Sequence, residues 1–330
     1  MSNQIGSPLI SIGLPVFNGE PFIRESIESI LAQSFKDYEL IICDNASTDK
    51  TQEICELFTK NNKNITYYRH DKNKGAAYNY NYVFSLSKGK YFKWASADDL
   101  LDLFFLEACI TEIMKNPNAV LCYPKTVMID ENGKKIEDYL DLMDNRLEQP
   151  SKRYRKFHQR LKKSEKCNAI FGLINISALK KTRLIDSFVN SDTVLLAELV
   201  LLGQIIEVDR SLFFRRIHSQ MSIKAYKPAE RTVWFDTEKR SIKRAYVNWR
   251  TEVEFIRSIK KIEIPLLEKI PSFFIALGWM VWRRKLLWSE MVNWMYWKFM
   301  EMPEPFKKPI QRLWKFFHRQ FRFSNTKDRG

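Results

Sequence analysis

The chain is poor in the residues that carry most recognisable metal and cofactor chemistry. It has four histidines and five cysteines in 330 residues, with no C-x-x-C pair, so sequence neighbours offer no zinc constellation. The cysteines (Cys43, Cys55, Cys109, Cys122 and Cys167) are odd in number. Cys43 lies inside an apolar run, where free cysteine behaves as a small hydrophobe. That usage predicts a reduced, cytosolic compartment rather than a disulfide framework. No G-x-G-x-x-G follows a strand pattern and no G-x-x-x-x-G-K-[S/T] occurs, which argues against dinucleotide dehydrogenases and P-loop NTPases. A G-x-S-x-G hydrolase elbow is also missing. Long hydrophobic runs are missing too: the longest, 273–282, is about half the ~20 residues of a spanning helix. Residues 1–8 are short and polar, unlike a signal peptide.

What is present is ample for a folded enzyme. Apolar residues make up 45% of the chain, enough for a sizeable core, and the length suits roughly two domains. The net charge of +15 is unevenly spread: 28 Lys/Arg face 28 Asp/Glu up to Arg210, and 26 face 11 from Ser211 onward. The first two-thirds therefore reads as an ordinary enzyme domain and the last third as a region that meets an anionic surface. We place the boundary between residues 1–225 and 226–330.

Strands and helices alternate through the first part. Residues 9–14 form a buried apolar strand ending at Pro15, and 20–33 a helix with Pro21 at its start and an apolar stripe. A second strand, 40–43, runs into a polar loop whose Thr48 or Asp49 caps a helix over 51–60. Strand 65–69, helix 76–87 closed by Gly89 and strand 91–95 follow. This order predicts an α/β fold with a mainly parallel sheet and helices on both faces. Ligands then sit beyond the carboxyl ends of the strands, at 15–18, 44–49, the segment before Gly75, and 96–99. Further on come helix 103–115, strand 120–123, a hairpin-like turn at 130–133, strands 171–176, 205–208 and 212–217, and helix 193–202 stopped by Gly203. The charged, weakly periodic stretch 136–166 reads as a lid or acceptor-facing segment.

Three short motifs can carry chemistry, each with a plainer alternative. Asp98 and Asp99 at a strand end suit a hard divalent cation such as Mg²⁺ or Mn²⁺, which takes one or two carboxylates plus substrate phosphates; either could instead cap a nearby helix. Asp192, before an apolar helix, suits a general base or an N-cap. Arg215, Arg216 and His218, with Ser222 beyond, suit a diphosphate or a metal, or a solvated basic strand end.

In order along residues 9–220, these segments resemble family 2 glycosyltransferases of the GT-A, Rossmann-like fold. The matching blocks are 10–20, 29–35, 38–49, Asn73-Lys74-Gly75 with Asn81, Ala97-Asp98-Asp99, Ser191-Asp192 and Arg216-Ile217-His218. The resemblance implies an inverting hexosyl- or N-acetylhexosaminyl-transferase that uses a nucleotide-diphosphate-sugar, a UDP-sugar first. Its acceptor would be a glycan or lipid-linked hydroxyl in surface polysaccharide biosynthesis. It implies that Pro15, Val16 and Phe17 line the base and ribose pocket and that Asp44 hydrogen-bonds the nucleoside. Asn18, Glu20, Asn45, Gly75, Asn81, Ala97 and Asp99 complete the donor site. Asp98 and His218 would hold Mn²⁺ or Mg²⁺, and Asp192 would be the base. Ser96 stands where the family often has an acid, which bears on metal preference. Alternatives are an inactive scaffold of a glycan-assembly complex, or a nucleotidyl- or phospho-sugar transferase.

The C-terminal third is basic and aromatic. Six of the nine tryptophans lie beyond Gly278, interleaved with cations as in Trp282-Arg283-Arg284-Lys285. In 312–323 Leu313, Phe316, Phe317 and Phe321 share one helical face opposite Arg312, Lys315, Arg319 and Arg322, the pattern of a helix lying on anionic lipid. Peripheral attachment to the inner face of the cell membrane is the expectation. Packing of these aromatics internally or on a partner chain, and nucleic-acid binding, are the alternatives; the helical stripe disfavours nucleic acid.

Overall fold

The computed structural model describes residues 6–163, 167–221, 233–237 and 246–300. Strands β1 (Ile10–Val16), β2 (Tyr38–Asp44), β3 (Ile65–Arg69) and β4 (Tyr91–Trp94) are parallel and lie in the order β3-β2-β1-β4. All seven residues of β1 are buried, as continuous apolar strands covered on both faces must be. The side chains of β2 show the sheet's two sides. Leu40 and Ile42 enter one core with Ile23, Ile27 and Ile30 of helix α1 (Ile23–Leu31), while Ile41 and Cys43 enter the other with Val83 and Phe84 of α3 (Ala76–Ser85). Each fully buried isoleucine contributes roughly 1.5–3 kcal/mol to holding such a layer. Helix α2 (Thr51–Asn61) follows β2; Asp49, rather than Thr48, accepts from the Thr51 N–H. Gly89 does not cap α3, which ends at Ser85; it lets the backbone pass β1, where a Cβ would meet the Ser11 nitrogen at 2.7 Å.

The sheet continues with antiparallel members. Strand β8 (Leu173–Asn175) lies between β4 and β6 (Ala119–Ile129), antiparallel to both. Strand β9 (Gln204–Arg216) runs parallel to β6 and pairs at its far end with the short β5 (Leu100–Leu101). Residues 205–217, expected as two strands, are therefore one, bent by irregular register opposite Pro124 and Lys125 of β6. The turn at 130–133 joins β6 to β7 (Lys135–Tyr139), with Asp130 accepting from the Asn132 and Lys134 N–H groups. Helix α4 (Phe105–Lys115) covers the α1 side.

The stretch 136–166, expected as a lid or acceptor-facing segment, is in large part structural. Beyond β7 it forms helix α5 (Pro150–Leu161), which packs its buried Tyr154 and Phe157 into the second core. Its charges misled because two of its arginines are buried donors. Arg153 donates to the carbonyls of Val200 and Leu201, at the end of helix α7 (Ser191–Leu202), and Arg160 donates to the Asp141 carbonyl. The short α6 (Ile176–Leu179) follows β8.

Helices α8 (Val247–Lys261), α9 (Leu266–Trp282) and α10 (Arg284–Met300) complete the described chain. Phe255, Ile259, Ala276 and Trp279 share the core of α5 and α7, so α8 and α9 are packed onto the sheet domain despite the shift in composition near residue 225. Arg183 ties the layers together, pairing with Glu198 of α7 at 2.7 Å and with Glu254 of α8. No helix among the described residues is long and apolar enough to cross a membrane. The amphipathic stretch 312–323 and Ser222 lie outside the described residues. All five cysteines are buried and unpaired.

Candidate active site

The carboxyl ends of β1, β2 and β4 and the end of β9 open onto a cleft of about 760 Å³. On one side the turn after β1 supplies Pro15, Val16, Phe17 and Asn18. Its backbone is fixed to the loop after β2: Asn18 N–H donates to Ser47 Oγ, Gly19 N–H to Thr51 Oγ1, and Asn18 Oδ1 accepts from Thr48 N–H. Asn45 locks the next wall, donating to Asn73 and to the Gly75 carbonyl and accepting from the Lys74 N–H. Gly75 itself has φ +86°, and a Cβ there would meet the Phe235 carbonyl oxygen at 2.6 Å. That combination requires glycine.

The acidic end lies beyond β4. Asp98 accepts from Ser96 Oγ, and its Oδ2 lies 2.8 Å from His218 Nε2. Burial alone would raise the Asp98 carboxyl, but His218, Ser96 and the charge of Arg215 bring it below its ordinary value. Asp99 accepts from the Arg216 N–H at 2.9 Å, and burial beside charged Asp98 pushes it up to about 7. Neither aspartate caps a helix, so that plainer alternative falls away. Ser96 answers its departure from the family pattern by bonding Asp98 directly.

Arg215 and Arg216 are neighbours on β9 and so point to opposite faces. Arg216 is a buried staple, donating to the carbonyls of Asp98 and Glu131 and to Glu25. Arg215 lines the cleft and donates to Asn168. Its charge is felt by Asp98, Asp99 and Asp192 alike, and the buried Tyr80 hydroxyl of the cleft wall senses all three carboxylates. Asp192 thus belongs to the same charged cluster although it is not on the cleft's immediate wall. It stands in the first turn of α7 after Asn190, whose φ is +72°, and accepts from the Thr193 N–H at 2.7 Å. Burial raises its pKa against the pull of that N–H and of Arg215.

Several residues expected in the donor site stand behind its walls. Asp44 is fully buried and accepts from Ser47 N–H and the Tyr67 hydroxyl while pairing with Arg69 at 3.3 Å. It shapes the loop and does not face the cleft. Glu20 sits outside, accepting from Lys50 N–H. Asn81 turns away and bridges both backbone groups of Ile185. In its place Asn79 and Tyr80 face the cleft, and Asn79 donates to the Cys43 carbonyl. Helical spacing gives the signal: Ala76, Asn79 and Tyr80 are i, i+3 and i+4 on one face, whereas Asn81 is not.

Among the described residues no three His, Cys, Asp or Glu side chains gather as a metal cage. Asp98 and His218 nonetheless form an adjacent oxygen–nitrogen pair opening on the cleft, and His218 Nδ1 is buried without a partner. Two protein donors completed by substrate phosphates fit Mn²⁺ or Mg²⁺, and the imidazole leans toward Mn²⁺.

Known proteins share this frame. The glycosyltransferase TarS of S. aureus (residues 1–349) superposes with a TM-score of 0.58 over 82% of this chain and 71% of its own, at 14% identity; it has also been solved with UDP-GlcNAc. That likeness establishes the mixed, mainly parallel GT-A fold. In sequence, an uncharacterized glycosyltransferase of Rickettsia typhi is 35% identical over 137 residues, covering 41% of this chain and 42% of the relative. Chondroitin synthase of Escherichia coli is 32% identical over 131 residues, covering 40% of this chain and 19% of the synthase. The chain spans less than half the length of these curated relatives. The family description "Glycosyl transferase family 2" matches residues 11–182, more than half of the chain: the protein belongs to glycosyl transferase family 2.

Proposed function

We propose that this glycosyltransferase moves a sugar from a UDP-sugar to a hydroxyl of a glycan or lipid-linked acceptor, inverting the anomeric configuration in one displacement. The observation that carries the reading is the cleft in which Asp98, Asp99, Arg215 and His218 meet the Pro15–Asn18 wall, with Asp192 within the electrostatic reach of Arg215. TarS solved with UDP-GlcNAc and the chondroitin synthase relative support a UDP-sugar donor and a glycan acceptor. Family membership with Asp98 and Asp192 both present favours a working transferase over an inactive scaffold.

The chemistry follows from the residues. Pro15, Val16 and Phe17 present an apolar wall to the nucleoside, and Asn18, Asn45 and Asn79 frame it. Asp98 and His218 would hold the divalent cation, which when bound offsets the negative charge growing on the departing diphosphate. Arg215 is placed to attract the same diphosphate oxygens. The acceptor oxygen forms its bond to the anomeric carbon as the bond to the phosphate oxygen breaks. Its proton passes to Asp192 and the electron pair leaves with the diphosphate. A carboxylate raised by burial accepts that proton more readily than a solvent-exposed one, and the charge of Arg215 works against that rise.

The acceptor reading places the enzyme peripherally at the inner face of a membrane, where lipid-linked and growing surface glycans are assembled. Nucleotide-sugars screened for manganese-dependent hydrolysis test the donor and metal roles together. Asp98→Ala should abolish metal-dependent donor binding, and binding indifferent to chelator in the wild type would remove the metal from the account.

A further inference from the structure

The C-terminal aromatics do not all serve one purpose. Trp279 is buried against α5 and α8, whereas the opposite side of α9 is apolar and, among the described residues, uncovered. Leu267 is 83% exposed and Phe274 66% exposed, with Ile270, Val281 and Trp282 continuing the same side of the helix. From Ile270 to Trp282 thirteen residues pass without a charge. An exposed face of this kind is costly in water and marks a contact surface.

We infer that the outward face of α9 lies in the plane of an anionic lipid bilayer, with the basic residues at its two ends seated among the headgroups. This rests on the peripheral-membrane reading above and names the surface that carries it. The uncharged stretch spans about 20 Å at 1.5 Å per residue, short of the ~30 Å hydrocarbon core, so it suits an in-plane helix and not a crossing one. Charge around the face is predominantly basic. Lys260 and Lys261 before α9, and Arg284 and Lys285 after it, are exposed, against one exposed acid, Glu263. The other two nearby acids are engaged by backbone: Glu268 accepts from Ser151 N–H, and Glu290 from the N–H groups of Asn248 and Trp249. Lys162 of the neighbouring layer lies 5.1 Å over the Trp282 ring, adding a cation beside an aromatic that favours the lipid–water boundary. The same layer packs on α7, which carries Asp192, so docking would fix the catalytic base relative to the membrane plane.

The test is flotation of the full chain with phosphatidylglycerol-containing vesicles and with pure phosphatidylcholine vesicles. Leu267→Gln combined with Phe274→Gln, and separately Arg284→Gln combined with Lys285→Gln, supply the variants. Each variant is checked for unchanged circular dichroism and donor hydrolysis in solution. The wild type should float with the anionic vesicles. The apolar pair should lose at least about 10-fold in vesicle affinity, and the basic pair roughly 10-fold or more, the latter effect fading in high salt. A wild type that floats with neither vesicle overturns the peripheral reading and this face with it. A wild type that floats while the Leu267/Phe274 variant floats equally overturns the face alone. Failure to float together with a wild-type dimer that the same variant converts to monomer would show that a second copy covers α9.

Discussion

The cleft-forming strands and the C-terminal helices bury apolar side chains alike but handle charge differently. Around β1, β2 and β4 charges are few: Asp98, Asp99 and Arg215 line a cleft, while Lys93, Asp44 and Arg216 are held by carbonyls and ion pairs within the fold. In the layer of α5, α7 and α8, buried charges close on one another. Arg183 binds Glu198 and Glu254, Arg283 binds Glu252, and Arg153 caps α7. One region leaves some of its charges facing an open cleft; the other turns all of these to fixing helices. The difference teaches that a buried ionic group reads as functional only when its partners leave it facing open space.

That contrast can be broken from the structural side first. Arg183→Met strips the cation from buried Glu198, while Glu254 keeps Arg250 and Arg257; we expect it to cost about 3–5 kcal/mol of unfolding free energy, read by urea denaturation. A loss below 1 kcal/mol would mean the helical layer is not held this way.

A smaller effect sharpens it by pH. Burial holds His158 down at about 4, from 6.5, and pushes Glu252 up to about 7, from 4.5. Below pH 6.5 the unfolded chain takes up the imidazole proton that the folded chain refuses, so the His158 contribution is lost as pH falls toward 4. Folded Glu252 instead keeps its proton while the unfolded chain releases it, so its contribution is lost as pH rises from 4.5 to 7. The two oppose each other in the wild type. Glu252→Gln should expose an acid-labile slope and His158→Phe the reverse slope, each up to about 3 kcal/mol across its window. Parallel slopes in the two variants would contradict the assignment.

The smallest expected effect belongs to a pair outside both regions. Lys125 and Asp209 are paired at the surface, with Asp209 89% exposed. Lys125→Ala should leave the thermal unfolding midpoint and donor hydrolysis unchanged, because an exposed ion pair is screened by water and salt.

Much of the sheet was legible in the sequence because its central strands are covered on both faces. Residues 9–14 and 40–43 are continuous apolar runs ending in proline or polar loops, and they became β1 and β2 with little change. Legibility failed where burial recruits polar side chains. Arg153 and Arg160 made α5 look solvated, since a guanidinium that donates to carbonyls has no signature in hydropathy. Pro124 and Lys125 hid the length of β6, which absorbs them with irregular register. In the site, Asp98, His218 and the 15–18 turn were placed by their strand-end positions. Asn79 was missed because Asn81 two residues on is chemically identical, and only the turn of α3 decides between them. Asp44, expected to meet the nucleoside, is buried against Tyr67 and Arg69, partners remote in sequence that no local pattern shows.

The central proposal is that Asp192 takes the acceptor's proton while the donor is held near Asp98. Asp192→Asn measures it most directly, with donor binding followed by calorimetry and sugar transfer by product formation in the same preparation. The account predicts unchanged donor affinity and a kcat lower by on the order of 10²–10⁴-fold. Transfer at the wild-type rate, or loss of donor binding in step with transfer, would contradict it.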